Sequence, residues 1–354
     1  MSSDLSLQTE LAIDGALNTD RLAIDLAPPD RRLTASAIRS YLDCPRKYEF
    51  AYEQRIRPIK QHDALRFGSL FHDVFEHLDN GMTWTDVCRR TLAQAATDIE
   101  AQQVLRLAAE HHRHYGDDGF EIEETEGVFT ADIGGVPCTG KRDRVVVLPD
   151  GRRAVQEYKT SSEDIEPGSI YWRRLRMDIQ VSIYLISSGA ETIIYDVTRK
   201  PTIKPRQIPL LDSDGIKQVR DDETGERVEN KNGKWKQAAG PGLTLVTREE
   251  SADEYGDRLT ADIQSRPDYY FQRQEIARMP EDSEAAVEDV QAVDALIRLQ
   301  LFPRNTASCT RYGECPYFTI CSVNAKPADG VPVGFERLKT AHPELSDAPT
   351  TTTA

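Results

Sequence analysis

The alternation of apolar and polar positions divides the chain into a helical first third, a strand-rich middle and a helical last third. "LTASAIRSYLDCPRKYEF" (33–50) opens with Thr34 or Ser36 as N-cap and reads as a helix up to Pro45, with Cys44 at the break. In "LRFGSLFHDVFEHLD" (65–79), Leu70, Phe71, Val74, Phe75 and Leu78 fall on one helical stripe. An alanine-rich helical stretch follows to about residue 115. Three strand candidates come next: "EGVFTADI" (126–133), "VPCTGKRDRVVVL" (136–148) and "RRAVQEYKT" (152–160). They are separated by Gly134-Gly135 and by Pro149-Asp150-Gly151, both good hairpin turns. A helix near 170–188 leads to a strand, "TIIYDVTR" (192–199), and helices return near 248–265 and 281–300. Residues 210–245 are polar and read as a long loop or an inserted hairpin. This order predicts an α/β fold, a sheet flanked by helices. Residues 1–30 and 327–354 are polar and aperiodic and read as tails, leaving 31–326 as one domain.

Composition narrows the class. The chain has 354 residues, 39% hydrophobic and 29% charged, as in soluble globular proteins. No apolar run approaches the roughly 18–20 residues that span a bilayer. The N-terminus has no basic region followed by an apolar core, so the expected setting is cytoplasmic, with no membrane partner. The net charge of −15 argues weakly against nucleic acid as a partner. Local basic clusters cut the other way: Arg142 and Arg144; Arg173, Arg174 and Arg176; Arg199, Lys200, Lys204 and Arg206. Each reads either as a solvated face or as a surface for phosphates.

The strand "RRAVQEYKT" raises the chemical question. Side chains alternate, so Val155, Glu157 and Lys159 share a face, while Tyr158 points the other way. The hairpin at 149–151 brings Asp143 of the preceding strand beside Glu157. Two carboxylates and an ammonium then meet at one point. One reading is an exposed strand edge with an ordinary ion pair. The other is a hard divalent cation that relieves the carboxylate repulsion and serves phosphodiester chemistry, with Lys159 beside the phosphate.

"GKRDRVVVLPDGRRAVQEYKTS" resembles the core of the PD-(D/E)XK nucleases, in their RecB-like exonuclease branch. The family's Asp and Glu-x-Lys-Thr match Asp143, Glu157 and Lys159. Gly68 and His72 in "FGSLFHDVFE" match the helix before the core, and Gln180 and Tyr184 in "QVSIY" match the Gln-x-x-x-Tyr helix after it. The resemblance implies a central mixed sheet and a Mg²⁺- or Mn²⁺-dependent DNA exonuclease. Its catalytic residues would be Asp143, Glu157 and Lys159. Its metal ligands would be His72, Asp143, Glu157 and the carbonyl of Tyr158. Helical geometry alone makes His72 a surface residue, with His77 its nearest competitor. Gln180 and Tyr184, sharing a helix face, would contact nucleic acid together with Arg173 and Arg174.

Three of the six cysteines lie in "CTRYGECPYFTIC" (309–321). Some RecB-like nucleases, of the AddB and CRISPR-associated types, hold a 4Fe–4S cluster with one cysteine before the core and three after it. Cys44, Cys309, Cys315 and Cys321 fit that order, although both gaps are five residues where the first is shorter in better-known members. Zn²⁺ on the same four thiolates is the alternative. Either would clasp the N- and C-terminal helical parts together. Cys88 and Cys138 read as core. The implied substrate is DNA with a free end, in repair, recombination or phage DNA processing, with a helicase or recombination partner. A nuclease-derived DNA-binding or assembly protein is the competing class.

Overall fold

The computed structural model describes residues 31–60, 63–116, 118–311, 313–325, 330–345 and 350–351. The expected tail 1–30 lies outside them. Thr34, not Ser36, caps the first described helix, α1 (Ala35–Asp43): its hydroxyl accepts the Ala37 N–H at 3.1 Å. Helix α2 (Asp63–Asp79) buries Leu70, Phe71, Val74 and Phe75 of the anticipated stripe and leaves Leu78 half-buried, with Phe67 buried as well. Helices α3 (Trp84–Gln94) and α4 (Asp98–Tyr115) follow, capped by Thr83 and Thr97.

Strands β1 (Glu121–Ile133) and β2 (Val136–Val147) join through Gly134 and Gly135, whose φ values of 61° and 86° are those a two-residue hairpin turn needs. Strand β3 (Arg153–Ser161) returns beside β2. The expected helix near 170–188 is broken into a short turn, Ile170–Leu175, and α5 (Ile179–Ser188). Asp178 restarts it by accepting the Gln180 N–H. Helix α5 is the crossover that places β4 (Thr192–Arg199) parallel to β3. Residues 207–249 form two short antiparallel pairs, an inserted hairpin. Helix α6 (Ala252–Ser265) begins in a capping box of Ser251 and Glu254, strand β5 (Phe271–Ala277) follows, and α7 (Pro280–Arg298) closes the domain.

The sheet runs β5-β4-β3-β2-β1, with only β3 and β4 parallel among these five, and Thr350–Thr351 pairs with the outer strand β1. One apolar core, with Val155, Val181, Ile193 and Tyr195, packs α1, α5 and α7 on one face. The other, with Phe71, Leu107, Tyr158 and Leu259, packs α2, α4 and α6 on the opposite face. Cys138 lies in the first core, and Cys88 packs against the second. No helix among the described residues is long and apolar enough to cross a membrane.

Two features depart from the sequence reading. Strand β5 has a charged sequence, "FQRQEIA", because it is an edge strand whose Arg273 reaches inward to buried Asp196. Within the expected tail 327–354, Phe335–Arg337 pairs with Ile56–Pro58, and Phe335 stacks on Tyr317 at 5.9 Å. Three residues are too few to show a period, so this pairing leaves no trace in the pattern.

Candidate active site

Strands β2 and β3 are paired from Val147↔Arg153 to Arg144↔Gln156, and there the pairing stops. Asp143 and Glu157 are the next residues on each strand. The Asp143 carboxylate takes up the freed backbone, with Oδ2 accepting the Tyr158 N–H at 2.7 Å. Its Oδ1 lies 3.3 Å from Nδ1 of His72. Helix α2 presents that imidazole at the sheet, with Gly68 one turn earlier facing Thr160 of β3: a Cβ there would stand 3.6 Å from Thr160 Oγ1, an ordinary contact. His77 turns away and accepts from Arg90 of α3.

Glu157 is 3% exposed. Its Oε1 accepts from Lys159 Nζ at 2.6 Å and from Gln180 Nε2 at 2.8 Å. Its Oε2 is buried and has no partner among the described residues. Gln180 is fixed in turn by Arg39 of α1, whose guanidinium donates to its amide oxygen at 2.5 Å. Tyr184 donates its hydroxyl to the Lys141 carbonyl at 2.7 Å. Both α5 residues, anticipated as contacts to nucleic acid, are buried and turned inward. Their polar atoms orient the carboxylate and the strand that carry the site.

Glu126 is a site residue that the sequence pattern does not announce. It stands opposite Asp143, between the pairs Thr125↔Arg144 and Gly127↔Arg142, with a left-handed φ of 52°. Such strain in a non-glycine residue marks positions held by their surroundings. Its Oε2 is 2.5 Å from Lys141 Nζ. His72, Glu126 and Asp143 bring one ligand atom each within 4.8 Å of one another. The one hint in the sequence is the Gly127 that follows: a Cβ there would collide with the Glu124 side chain.

The charges oppose one another. Burial, then the charge of Asp143, push the Glu126 carboxyl up to about 7. The same two causes raise Glu157. For Asp143 burial works upward, but His72, Lys159 and the Tyr158 N–H outweigh it and hold the group below the usual carboxylate range. His72 is raised: burial opposes its charge, and Asp143 outweighs that. Three carboxylates, an imidazole and two ammoniums thus meet at one place, with a buried carboxylate oxygen left over. Oxygen donors with one imidazole suit a hard or borderline divalent cation such as Mg²⁺ or Mn²⁺.

The remaining sequence candidates lie apart from these groups. Arg173 is exposed on the short helix before α5. Arg174 pairs with Glu163 at 3.2 Å and lies over the Tyr171 ring. Cys44, Cys309, Cys315 and Cys321 line one cavity of about 200 Å³ above Phe50 and Tyr317. There the Asn305 N–H donates to Cys44 Sγ at 3.4 Å, and burial pushes the Cys315 thiol up.

No curated protein matches the chain in sequence. Among solved structures it is similar to the protein called SSO0001, at 16% identity and a TM-score of 0.34, over 89% of this chain and 98% of that one. It is also similar to a protein of Eubacterium rectale provisionally named an exonuclease, at 11% identity and a TM-score of 0.36, over 74% of this chain and 82% of that one. At such scores neither likeness carries weight. The family comparison is of another order: a model of the PD-(D/E)XK nuclease superfamily matches residues 32–322, which hold all five sheet strands and every site residue above. The chain belongs to the PD-(D/E)XK nuclease superfamily.

Proposed function

We propose that the protein is a divalent-metal-dependent DNA exonuclease. The observation that carries this reading is the meeting of Asp143, Glu157, Lys159 and His72 where β2 and β3 part, in a chain of this superfamily. Asp143, Glu157 and His72 would hold Mg²⁺ or Mn²⁺, with the Tyr158 carbonyl and Glu126 completing the set. The unpartnered Glu157 Oε2 and the mutual closeness of His72, Glu126 and Asp143 fit such an ion. When bound, the ion neutralises charge on the scissile phosphate and acidifies water at the site.

The chain's own groups do the rest. Gln180 holds Glu157 in one rotamer through Oε1. Lys159 shares that oxygen, and its ammonium is free to turn to a phosphate oxygen once Glu157 is otherwise engaged. There it stabilises negative charge that grows in the transition state. Arg173 and Arg174 serve the DNA backbone, so binding should weaken with salt despite the acidic total. The setting we favour is DNA repair or recombination, acting on free ends.

The four cysteines are read as ligands of a 4Fe–4S cluster that clasps the two ends of the domain. That all four line one cavity supports this reading, and Zn²⁺ held tetrahedrally by the same thiolates is the alternative. The Asn305 N–H at Cys44 is the kind of donor that stabilises a cluster thiolate.

The test is release of nucleotides from end-labelled linear DNA with Mn²⁺, run beside Lys159→Ala, with Mn²⁺ binding measured by calorimetry. Cleavage should vanish in the variant while Mn²⁺ still binds. Equal cleavage by both proteins would refute the assignment. No cleavage by either, with DNA binding intact, would leave a nuclease-derived binding protein.

A further inference from the structure

Behind the carboxylates, on the opposite face of the sheet, lies a second cavity of about 540 Å³. It sits among α2, α4, the start of α3 and the sheet strands, and the Tyr158 side chain is part of its wall. Small-molecule sites run from roughly 300 to 1,000 Å³ and are mostly apolar with a few placed polar groups. This one is walled by planar groups. The Arg144 guanidinium lies over Tyr158 at 5.1 Å, and that of Arg273 over Tyr115 at 4.1 Å and over Phe120 at 4.9 Å.

Both guanidiniums are already neutralised. Arg144 is gripped by Asp79 and also meets Gln156. Arg273 is gripped by Asp196 and pairs with Asp118. Neither cation is left for a phosphate or a carboxylate. One buried polar atom behind that wall has no partner among the described residues. His111 is 3% exposed, its ring is hemmed by Phe75, Tyr115, Tyr158 and Phe271, and its Nε2 has no hydrogen-bond partner among the described residues. Burial, then the charges of Arg273 and Arg144, keep this imidazole neutral. At the mouth stand two large apolar side chains, Trp84 and Ile122, 40% and 46% exposed.

We infer that this cavity binds an uncharged heteroaromatic ring of nucleobase size. Rings and guanidinium planes accept a flat partner through stacking. The balanced charges disfavour an anionic ligand, because a phosphate buried there would lack a counter-charge. The His111 nitrogen is covered by the surrounding rings, so stacking and charge balance carry the recognition. A free nucleoside and a base swung out of a strand share this chemistry. The choice of a nucleobase among heteroaromatic rings rests on the nuclease reading, whereas the cavity and its charge balance do not. The wall residue Tyr158 lies between Glu157 and Lys159, so an occupant touches the strand that carries the active site.

The test titrates the full-length chain in EDTA with adenosine, cytidine and thymidine and with their 5′-monophosphates. Binding is followed by calorimetry and by tryptophan fluorescence. Quinoline serves as a ring foreign to nucleic acid. A single-stranded oligonucleotide carrying 2-aminopurine reports a base swung from a strand. Nucleosides, or the 2-aminopurine base, should bind saturably, and each nucleoside about tenfold more tightly than its monophosphate. Ala109→Phe, which fills the cavity from α4, should abolish the binding, and Trp84→Ala, at the exposed mouth, should weaken it with the fold intact. Binding of nucleosides alone assigns the free ligand, and quenching of 2-aminopurine alone assigns the strand. Binding of quinoline without nucleosides or 2-aminopurine overturns the nucleobase assignment. No saturable binding by any probe at millimolar concentration, or binding unchanged in both variants, overturns the inference. No cleavage enters these readouts, so a failed nuclease assay would leave them as they stand.

Discussion

Glu126→Gln separates one carboxylate from the electrostatics of the active site. In the metal-free protein this group is pushed up to about 7 from an ordinary 4.5. An acid raised in the folded state holds its proton more tightly when folded. Its contribution to stability is therefore fully present below the unfolded value and is lost as pH rises to the folded one. The window runs from about pH 4.5 to about pH 7. At about 1.36 kcal/mol per pH unit, the loss is on the order of 3 kcal/mol. The side chain is only 13% exposed, so solvent screening trims this modestly. Glutamine keeps the shape and does not titrate. His72, also raised, loses its contribution as pH rises in both proteins and cancels in the comparison. Urea unfolding in EDTA at about pH 5 and about pH 8 should show the wild type losing on the order of 3 kcal/mol more than the variant. Mn²⁺ at the higher pH should restore the wild type more than the variant, since an ion stabilises the state that binds it. The same pH dependence in both proteins would refute the reasoning.

Three further outcomes are open to measurement. Gln180→Leu removes a donor from a carboxylate that already has one unpartnered oxygen, which should cost about 1.5–3 kcal/mol of stability. Cleavage by this variant should fall at least about tenfold while DNA affinity is unchanged; matched cleavage rates would sink the positioning role. Gly140→Ala would put a Cβ 2.8 Å from Cε1 of buried Phe129, so a thermal melt should show a loss of about 1–3 kcal/mol, partly recovered by Phe129→Leu. Cys309→Ser should bleach the visible absorbance of anaerobically purified protein and lower its melting temperature. Stoichiometric zinc without iron in the wild type would overturn the cluster and keep the clasp.

The parts of the site legible in the sequence are those fixed by short-range geometry. Period-two alternation and one tight turn place Asp143 opposite Glu157, and the structure puts both where the two strands part. The helical stripe of α2 is equally plain, yet it makes His72 a surface residue. The sheet end it faces belongs to strands some seventy residues on, which helical periodicity does not see. Glu126 is hidden for a different reason. Alternation assumes regular dihedrals, and a residue at φ 52° departs from them. Gln180 and Tyr184 share a helix face as spacing requires, but spacing does not tell a face turned to solvent from one turned to a buried carboxylate. Strand β5 is obscured because its inward residue is Arg273, whose partner, Asp196, is itself buried.

The seam between the two ends of the domain also carries a clock. Asn305 donates to the Asp43 carbonyl across 262 residues of chain, the Ser308 hydroxyl reaches the same oxygen across 265, and Tyr41 reaches the Leu301 carbonyl across 260. A ribosome adding roughly 5–20 residues per second needs about 13–50 seconds to cover that distance. For that interval α1 has left the ribosome without the segment that receives its C-terminal end, and the Cys44 thiol waits alone. Helix α1, the first of the described helices to be made, is among the last to be completed, and the interval before Leu301 emerges is when a chaperone or an oxidant has access to it.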